Sequence, residues 1–432
     1  MYVERETQHR PPTRTGYRES LPLPNMDARL RTRIQATLKV PLGEAALIGV
    51  AVFGITTTAF FRVPLLPAIG SELSMSAGDL GLLTTFFAIG RLLTDIPAGY
   101  VADRLPAARL MVVAALVVAA GSFLLAGAQG ASLTQVAALI LGIGSAMTNT
   151  GGMTFFSQAT GGGHRGMALS AYSAALLAGQ AFGPTFGGLL AGLGSWRLAE
   201  TVAGIVAVIL MGGLLMSPAR PVVPRKPTAR SFHPSAPFAP WRVRMVLYGV
   251  PFAMFATFGS MTQTLIPIIG DADLGLSSSS IGLALGLGGL ARLIGALIGG
   301  QLADRVSRKA ALVPGLLVQA AGVGLLVLPM TTFVWMASIV LMSLASYGIS
   351  VAGTIIADLS SAGNIGRSLG TFRFIGDIGL IIAPTVTALL YEHFGIRPSI
   401  LPLAGLLVLV ALAGAVVLPE TRWLETNDGH VS

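Results

Sequence analysis

Two pairs of opposite charges stand one helical turn apart inside long apolar runs, Arg91 with Asp95 and Arg373 with Asp377. Side chains four residues apart share a helix face, so each pair can bridge within its own helix. A charge at mid-membrane costs roughly 3 kcal/mol and is retained where it faces a partner, a cavity or a proton path. Asp95 and Asp377 are therefore the acids best placed to carry protons, ahead of Asp358 and Glu200, which lie near the ends of their runs. Arg91 precedes Asp103 by twelve residues, about 18 Å of helix, and Asp377 follows Gly366 by eleven, about 16 Å, so both lie at similar depth.

Arg62 and Arg292 have no acid at helical spacing, so the apolar runs hold more arginine than acid. An anionic group on a ligand would balance them. The competing reading, favoured for Arg62, is that it snorkels to the outer interface, while Arg292 contacts helix-end carbonyls. Asn149, Gln180 and the run Thr56 to Thr58 could hydrogen-bond a ligand or a neighbouring helix.

Composition sets the elements that hold these residues. Of 432 residues, 53% are hydrophobic and 11% charged, too little charge to cover a water-soluble globule, so lipid is the expected solvent. The net charge of +9 falls between the apolar runs in a topology pattern, which argues against nucleic-acid binding. No cysteine is present and the five histidines are scattered, so no metal site or cofactor is expected. Gly286, Gly288 and Gly289 sit inside an apolar run with no preceding strand and make no dinucleotide loop. Without a nucleophile, ligand set or nucleotide site, the chain does not read as an enzyme.

A bilayer core needs about 20 apolar residues per helix, and open strands could not satisfy their backbone in lipid. The reading is all-α, a polytopic membrane protein of twelve transmembrane helices. The runs are Ala45 to Leu66, Leu80 to Gly99, Leu110 to Ala128, Leu133 to Phe156, Met167 to Ala191, Leu198 to Met216, Met245 to Ile266, Ile281 to Gly300, Ala311 to Leu328, Thr332 to Ile356, Leu369 to Leu390 and Ile400 to Leu418. Residues 1–43 read as a disordered basic tail, 44–216 and 245–418 as two six-helix bundles, 217–244 as a Pro- and Arg-rich linker, and 419–432 as a second tail. Basic residues gather in the first tail, the linker and alternate loops, which places both termini in the cytosol. The opposite loops carry Glu72, Asp79, Asp271 and Asp273.

The halves repeat at an offset of 200 to 201 residues. Pro67 and Gly70 match Pro267 and Gly270; Arg91, Gly99, Asp103 and Arg104 match Arg292, Gly300, Asp304 and Arg305; Gly166, Leu169 and Pro184 match Gly366, Leu369 and Pro384. A repeated six-helix unit implies a pseudo-twofold axis along the membrane normal, with a cavity between the halves.

From Ala45 to Trp423 the chain resembles the major facilitator superfamily. Gly99, Asp103, Arg104 and Arg109 resemble its loop signature, as do Gly300, Asp304, Arg305, Arg308 and Lys309, with Pro106 and Ser307 replacing the usual turn glycine. Gly179, Gly183, Pro184, Gly187 and Gly188 resemble the fifth-helix pattern of its twelve-helix drug/proton antiporters, and the matching run keeps Gly379 and Pro384. Trp196, Arg197, Pro419, Glu420 and Thr421 also look like family features. One departure is Ala138, where exporters carry an arginine.

The resemblance implies the major facilitator fold and alternating access. It makes the loop residues, including Asp103 and Asp304, a conformational latch, and the fifth-helix glycines packing and bending elements. It also sets the second and eleventh helices side by side, so Arg91 would pair with Asp377 and Asp95 with Arg373, joining the halves in one state. The expectation is a monomeric secondary active transporter in a bacterial cytoplasmic membrane. It would move a small amphipathic or anionic molecule, with Arg62, Arg292, Asn149 and Gln180 at its cavity, by proton-coupled export. Proton symport uptake or facilitated diffusion of an organic anion is the alternative.

Overall fold

The computed structural model describes residues 40–102, 104–159, 165–217, 240–360 and 365–420. The described residues form an all-helical protein with twelve helices long and apolar enough to cross a membrane. These are α1 (Leu42–Leu73), α2 (Ala77–Ala102), α3 (Ala107–Ala126), α4 (Ala131–Gln158), α5 (Met167–Leu193), α6 (Trp196–Leu215), α7 (Trp241–Ala272), α8 (Ser278–Arg305), α9 (Arg308–Val327), α10 (Thr332–Asp358), α11 (Arg367–Phe394) and α12 (Ile396–Val417).

Each expected run is present, but several helices outlast their apolar stretch, because intrahelical hydrogen bonds continue into polar sequence at a membrane surface. Two expected boundaries are corrected: α1 starts at Leu42, inside the assigned tail, and α7 at Trp241, inside the assigned linker. The bulk of both tails and of the linker lies outside the described residues.

α1 and α7 are irregular at matching points. α1 tightens into a 3-10 turn at Val63–Leu65 beside Pro64 and Pro67, and α7 widens into a π-helical turn over Phe258–Leu265 before Pro267. Proline removes a backbone donor and relaxes the local ladder, which accounts for a break in each repeat.

Helix packing follows the repeat. α2 packs on α4, α3 on α6 and α1 on α5; in the second half α8 packs on α10, α9 on α12 and α7 on α11. Glycine permits the tight crossings. A Cβ at Gly90 or Gly142 would stand 2.1 and 2.0 Å from the carbonyl oxygens of Leu139 and Phe87, and one at Gly295 1.9 Å from that of Leu344.

The halves meet along α2 with α11 and α5 with α8. These crossings are equivalent down to single contacts. The backbone at Gly81 approaches the Pro384 carbonyl, and that at Gly282 the Pro184 carbonyl; added Cβ atoms would stand 2.8 and 2.4 Å from the two oxygens. Gly81 and Gly282 differ by 201 and the prolines by 200. One turn further, Thr85 meets Thr385 and Gly286 meets Thr185. Towards the acidic loops, Gly78 N–H donates to Glu392 at 2.8 Å and the Ser279 hydroxyl to Gly188 O at 3.0 Å. Among the described residues, every hydrogen bond between the halves lies from mid-depth to this acidic face. The halves are closed there.

Gly142→Ala forces its methyl onto the Phe87 carbonyl and should cost about 1–3 kcal/mol, lowering the thermal unfolding midpoint in detergent. Gly99→Ala, where nothing lies within 4 Å, should leave the midpoint unchanged or raise it.

Candidate functional site

A cavity open to solvent, with about 830 Å³ of empty space counting its open mouth, lies between the halves, walled by α1, α5, α7, α8, α9 and α10. The π-helical turn of α7 turns Phe258, Thr262 and Gln263 to it; Phe60, Met254, Phe255 and Met342 make it largely apolar, and Gln180, Gln319 and Arg292 supply polar groups.

Arg292 is the charged group on this wall. Its guanidinium donates to Gln180 Oε1 at 3.4 Å and stacks 4.6 Å from the Phe258 ring centroid. No acid pairs with it among the described residues, and it meets a side-chain amide and an aromatic face in place of the expected helix-end carbonyls. Gln180 joins Arg292 on the cavity wall, while Asn149 and Arg62 stand away from it. Asn149 is hydrogen-bonded to the Tyr172 hydroxyl, and Thr57 and Thr58 spend their hydroxyls on carbonyls of their own helix.

Arg62 does not snorkel. It is fully buried where α1 breaks; its Nη2 donates to Gln263 Oε1 at 3.1 Å and its guanidinium lies 4.1 Å from the Phe87 centroid. Arg62 and Gln263 are 201 residues apart, the repeat offset, so equivalent positions of the two halves touch at the pseudo-axis. Glu200, on α6 and also fully buried, is its electrostatic counterpart. Nothing in helical spacing could reveal that partner, because it belongs to another helix.

Arg91, Asp95, Arg373 and Asp377 gather where α2 crosses α11. Asp377 is 2% exposed and feels the charges of Arg91, Arg373 and Asp95. The expected Arg91 to Asp377 and Asp95 to Arg373 contacts are not made at ion-pair distance among the described residues. Arg91 instead donates to Ser145 at 3.2 Å, and one oxygen of Asp377 has no hydrogen-bond partner.

The loop signatures divide. Asp103 lies outside the described residues, Arg104 is exposed and Gly99 faces open space. In the second copy Gly300 is open, while Asp304 and Arg305 are exposed; Asp304 makes no ion pair among the described residues. Arg308 is the buried member, paired with Asp358, and its N–H donates to Glu420 at 3.2 Å while Ser307 also bonds Glu420. Asp358, ranked low in the sequence, therefore joins α10 to α9.

Three fifth-helix glycines serve one contact. Gly179, Gly183 and Gly187 follow one another down α5, and a Cβ at each would meet the Phe53, Thr57 and Phe61 carbonyl oxygens of α1 at 2.7, 2.7 and 2.4 Å. Gly188 faces Ser278 across the halves, and Pro184 both meets Gly282 and lines the cavity. At the acidic face Glu72 accepts from Trp196 Nε1 at 2.5 Å and Arg197 Nε at 2.8 Å, tying α1 to α6.

Comparison with known proteins agrees with this geometry. The family model described as Major Facilitator Superfamily matches residues 47–272 and 251–429. Quinolone resistance protein NorA of Staphylococcus aureus is 22% identical over 53% of the chain, and Tetracycline resistance protein, class G, of Vibrio anguillarum is 24% identical over 81% of it and 91% of that protein. The match to NorA spans only 58% of the length of that relative. Among solved structures, a bacterial homolog of the human lysosomal transporter Spinster, inward-facing and occupied, superposes with TM-score 0.72 at 16% identity, covering 86% of this chain and 96% of that one. A D-xylose-proton symporter gives 0.70 at 17%, covering 88% and 97%.

At a pH where Glu200 is ionised, Arg62→Met and Glu200→Leu should each lower stability by roughly 3 kcal/mol, because each leaves a buried charge without its counterpart. The double variant should cost at least 1 kcal/mol less than the sum, as read by a thermal-unfolding double-mutant cycle.

Proposed function

The chain belongs to the major facilitator superfamily, and from that premise we propose that this transporter exports a small amphipathic anion by alternating access, coupled to inward proton movement. Arg292 carries the proposal: it is a guanidinium on an apolar, aromatic cavity wall with, among the described residues, an amide and a ring for partners. A ligand carboxylate or similar anion would complete its hydrogen bonding in a site where charge-assisted bonds are strong. Gln180, Gln263 and Gln319 would orient the ligand, and Phe60, Phe255 and Phe258 would cover its apolar part.

Export is supported by the drug-resistance names of the relatives and by the fifth-helix glycine register on α1. In this reading the two bundles, 44–216 and 245–418, rock about the α2–α11 and α5–α8 crossings, with the linker 217–244 and both tails in the cytosol. The membrane is the bacterial cytoplasmic membrane, and one chain suffices because it builds the whole cavity. The present conformation, sealed at the acidic face, would then face inward. Asp95 and Asp377 with Arg91 and Arg373 would rejoin when the basic side closes, and Gly99, Asp103, Arg104, Gly300, Asp304, Arg305 and Arg308 would latch that closure.

Uptake of an organic anion by symport is the second reading, favoured by Ala138 in place of an exporter arginine. The deciding experiment is flux in proteoliposomes under an imposed pH gradient, across organic anions, cations and neutral amphiphiles. Anions should move against the proton gradient, and Arg292→Ala should weaken anion binding by roughly tenfold or more while leaving neutral amphiphiles within about threefold. Anion flux indifferent to the gradient would make the protein a facilitator.

A further inference from the structure

Glu200 and Arg62 are both fully buried, and together they are left incompletely matched. Neither oxygen of Glu200 makes a hydrogen bond of ordinary geometry, and Nε and Nη1 of Arg62 have no acceptor. The two groups act on each other electrostatically but do not touch at ion-pair distance. Arg62 instead spends Nη2 on Gln263, a residue of the cavity wall in the other half. An arginine with one bond across the halves and an unused acid beside it within its own half has two alternative partners.

We propose that Glu200 is a proton-binding site that controls the seal at the acidic face, with Arg62 exchanging between Gln263 and Glu200. With Glu200 protonated, Arg62 has no anion to join and holds Gln263, as here. When Glu200 loses its proton, the buried anion draws Arg62 off, because an unpaired carboxylate in an apolar interior is strongly disfavoured. Gln263 is then released to the cavity, and the axial bond between the halves is lost. Thr84 shares in this change, since its hydroxyl donates to Gln263 O at 3.3 Å and accepts from Thr264 at 2.9 Å.

Among the described residues, the surroundings of Glu200 supply no rival charge. α6 packs against α1, α3 and α5. α1 brings Arg62, and its Glu72 is engaged by Arg197 of α6. α3 brings the Ser122 hydroxyl, while its Arg109 and the Glu44 of α1 lie at the basic face. α5 carries no acid, lysine, arginine or histidine between Met167 and Leu193, and its Tyr172 is turned to the Arg91 cluster.

The inference deepens the proton-coupled reading above and rests on it for its role in transport. The test is a distance measurement on the full chain in lipid nanodiscs. The native sequence has no cysteine, so spin labels placed at Leu193→Cys and Phe394→Cys, both exposed at the acidic-face ends of α5 and α11, report the seal alone. The labelled parent should shift from a short to a long distance as pH rises. Glu200→Gln should hold the short distance at every pH, and Gln263→Ala should raise the long-distance population at low pH by roughly tenfold. Glu200→Gln with the parent's pH response, or Gln263→Ala with the parent's populations, overturns the proposal, and so does a parent that ignores pH. Because Gln263→Ala leaves both buried charges in place, it keeps the test open if Glu200→Gln does not fold. An intact, Glu200-dependent response in a protein whose anion flux ignores the pH gradient would fell the export reading and leave the proton site standing.

Discussion

The missing side chains of Gly81 and Gly282 allow the rest of the arrangement. With no Cβ at either residue, the backbones of α2 and α8 reach the carbonyls of Pro384 and Pro184 in the opposite half. Such an approach fixes the spacing of the two halves to backbone contact at two equivalent points, and a pseudo-twofold axis must pass between them. Everything on that axis is then brought within reach, which is why Arg62 and Gln263 meet. Towards the basic loops no comparable glycine contact bridges the halves among the described residues, and the α2–α11 charges stand apart.

The repeat also explains where the unmatched charge lies. Arg91 and Arg292 occupy equivalent positions, but the residues equivalent to Asp377 and Asp95 are Leu177 and Ala296. The α2–α11 crossing therefore holds two arginines and two acids, whereas the α5–α8 crossing keeps its arginine and has lost the acids. A symmetric scaffold has become electrically asymmetric at the level of the cavity. Arg292 turns to Gln180 and Phe258 because its own crossing offers nothing stronger. A ligand anion would meet a cation that is already positioned and poorly compensated, a cheaper arrangement than one that must first break an ion pair.

The twelve helices and their repeat were legible because lipid imposes one solution on a long apolar run and because 200-residue periodicity survives in the Gly, Pro and Arg positions. Arg292, from an excess of positive charge, and Gln180, as a polar group in an apolar run, were each read as cavity candidates, and both line the cavity. Arg62 was misread, since its counterpart Glu200 lies 138 residues away on another helix and its hydrogen-bond partner lies in the other half. Helical spacing reports only neighbours on the same helix. Asn149 shows the same limit: its amide reads as a candidate ligand group, yet Tyr172 of the adjacent helix takes it. Asp358 looked peripheral at a helix end until Arg308 of α9 came beside it.

A seal made of glycine contacts and a few hydrogen bonds, with no ion pair across it among the described residues, has a particular energetic character. Each Thr or Gln bond across the halves contributes about 1 kcal/mol net, and close backbone packing adds dispersion without any deep electrostatic well. Such an interface can open and close within a thermally accessible range, whereas an ion-paired seal would be trapped by the cost of separating charges in a dry interior. Arg62, buried on the sealed axis, is joined across the halves by a neutral amide, while Glu200, the acid that becomes its counterpart on losing a proton, is kept within its own half. Separating the halves then takes Arg62 from a neutral acceptor and leaves it beside Glu200 in the same half. Placing the arginine and its acid within one half and a neutral acceptor in the other lets a buried arginine sit on a moving interface at low cost.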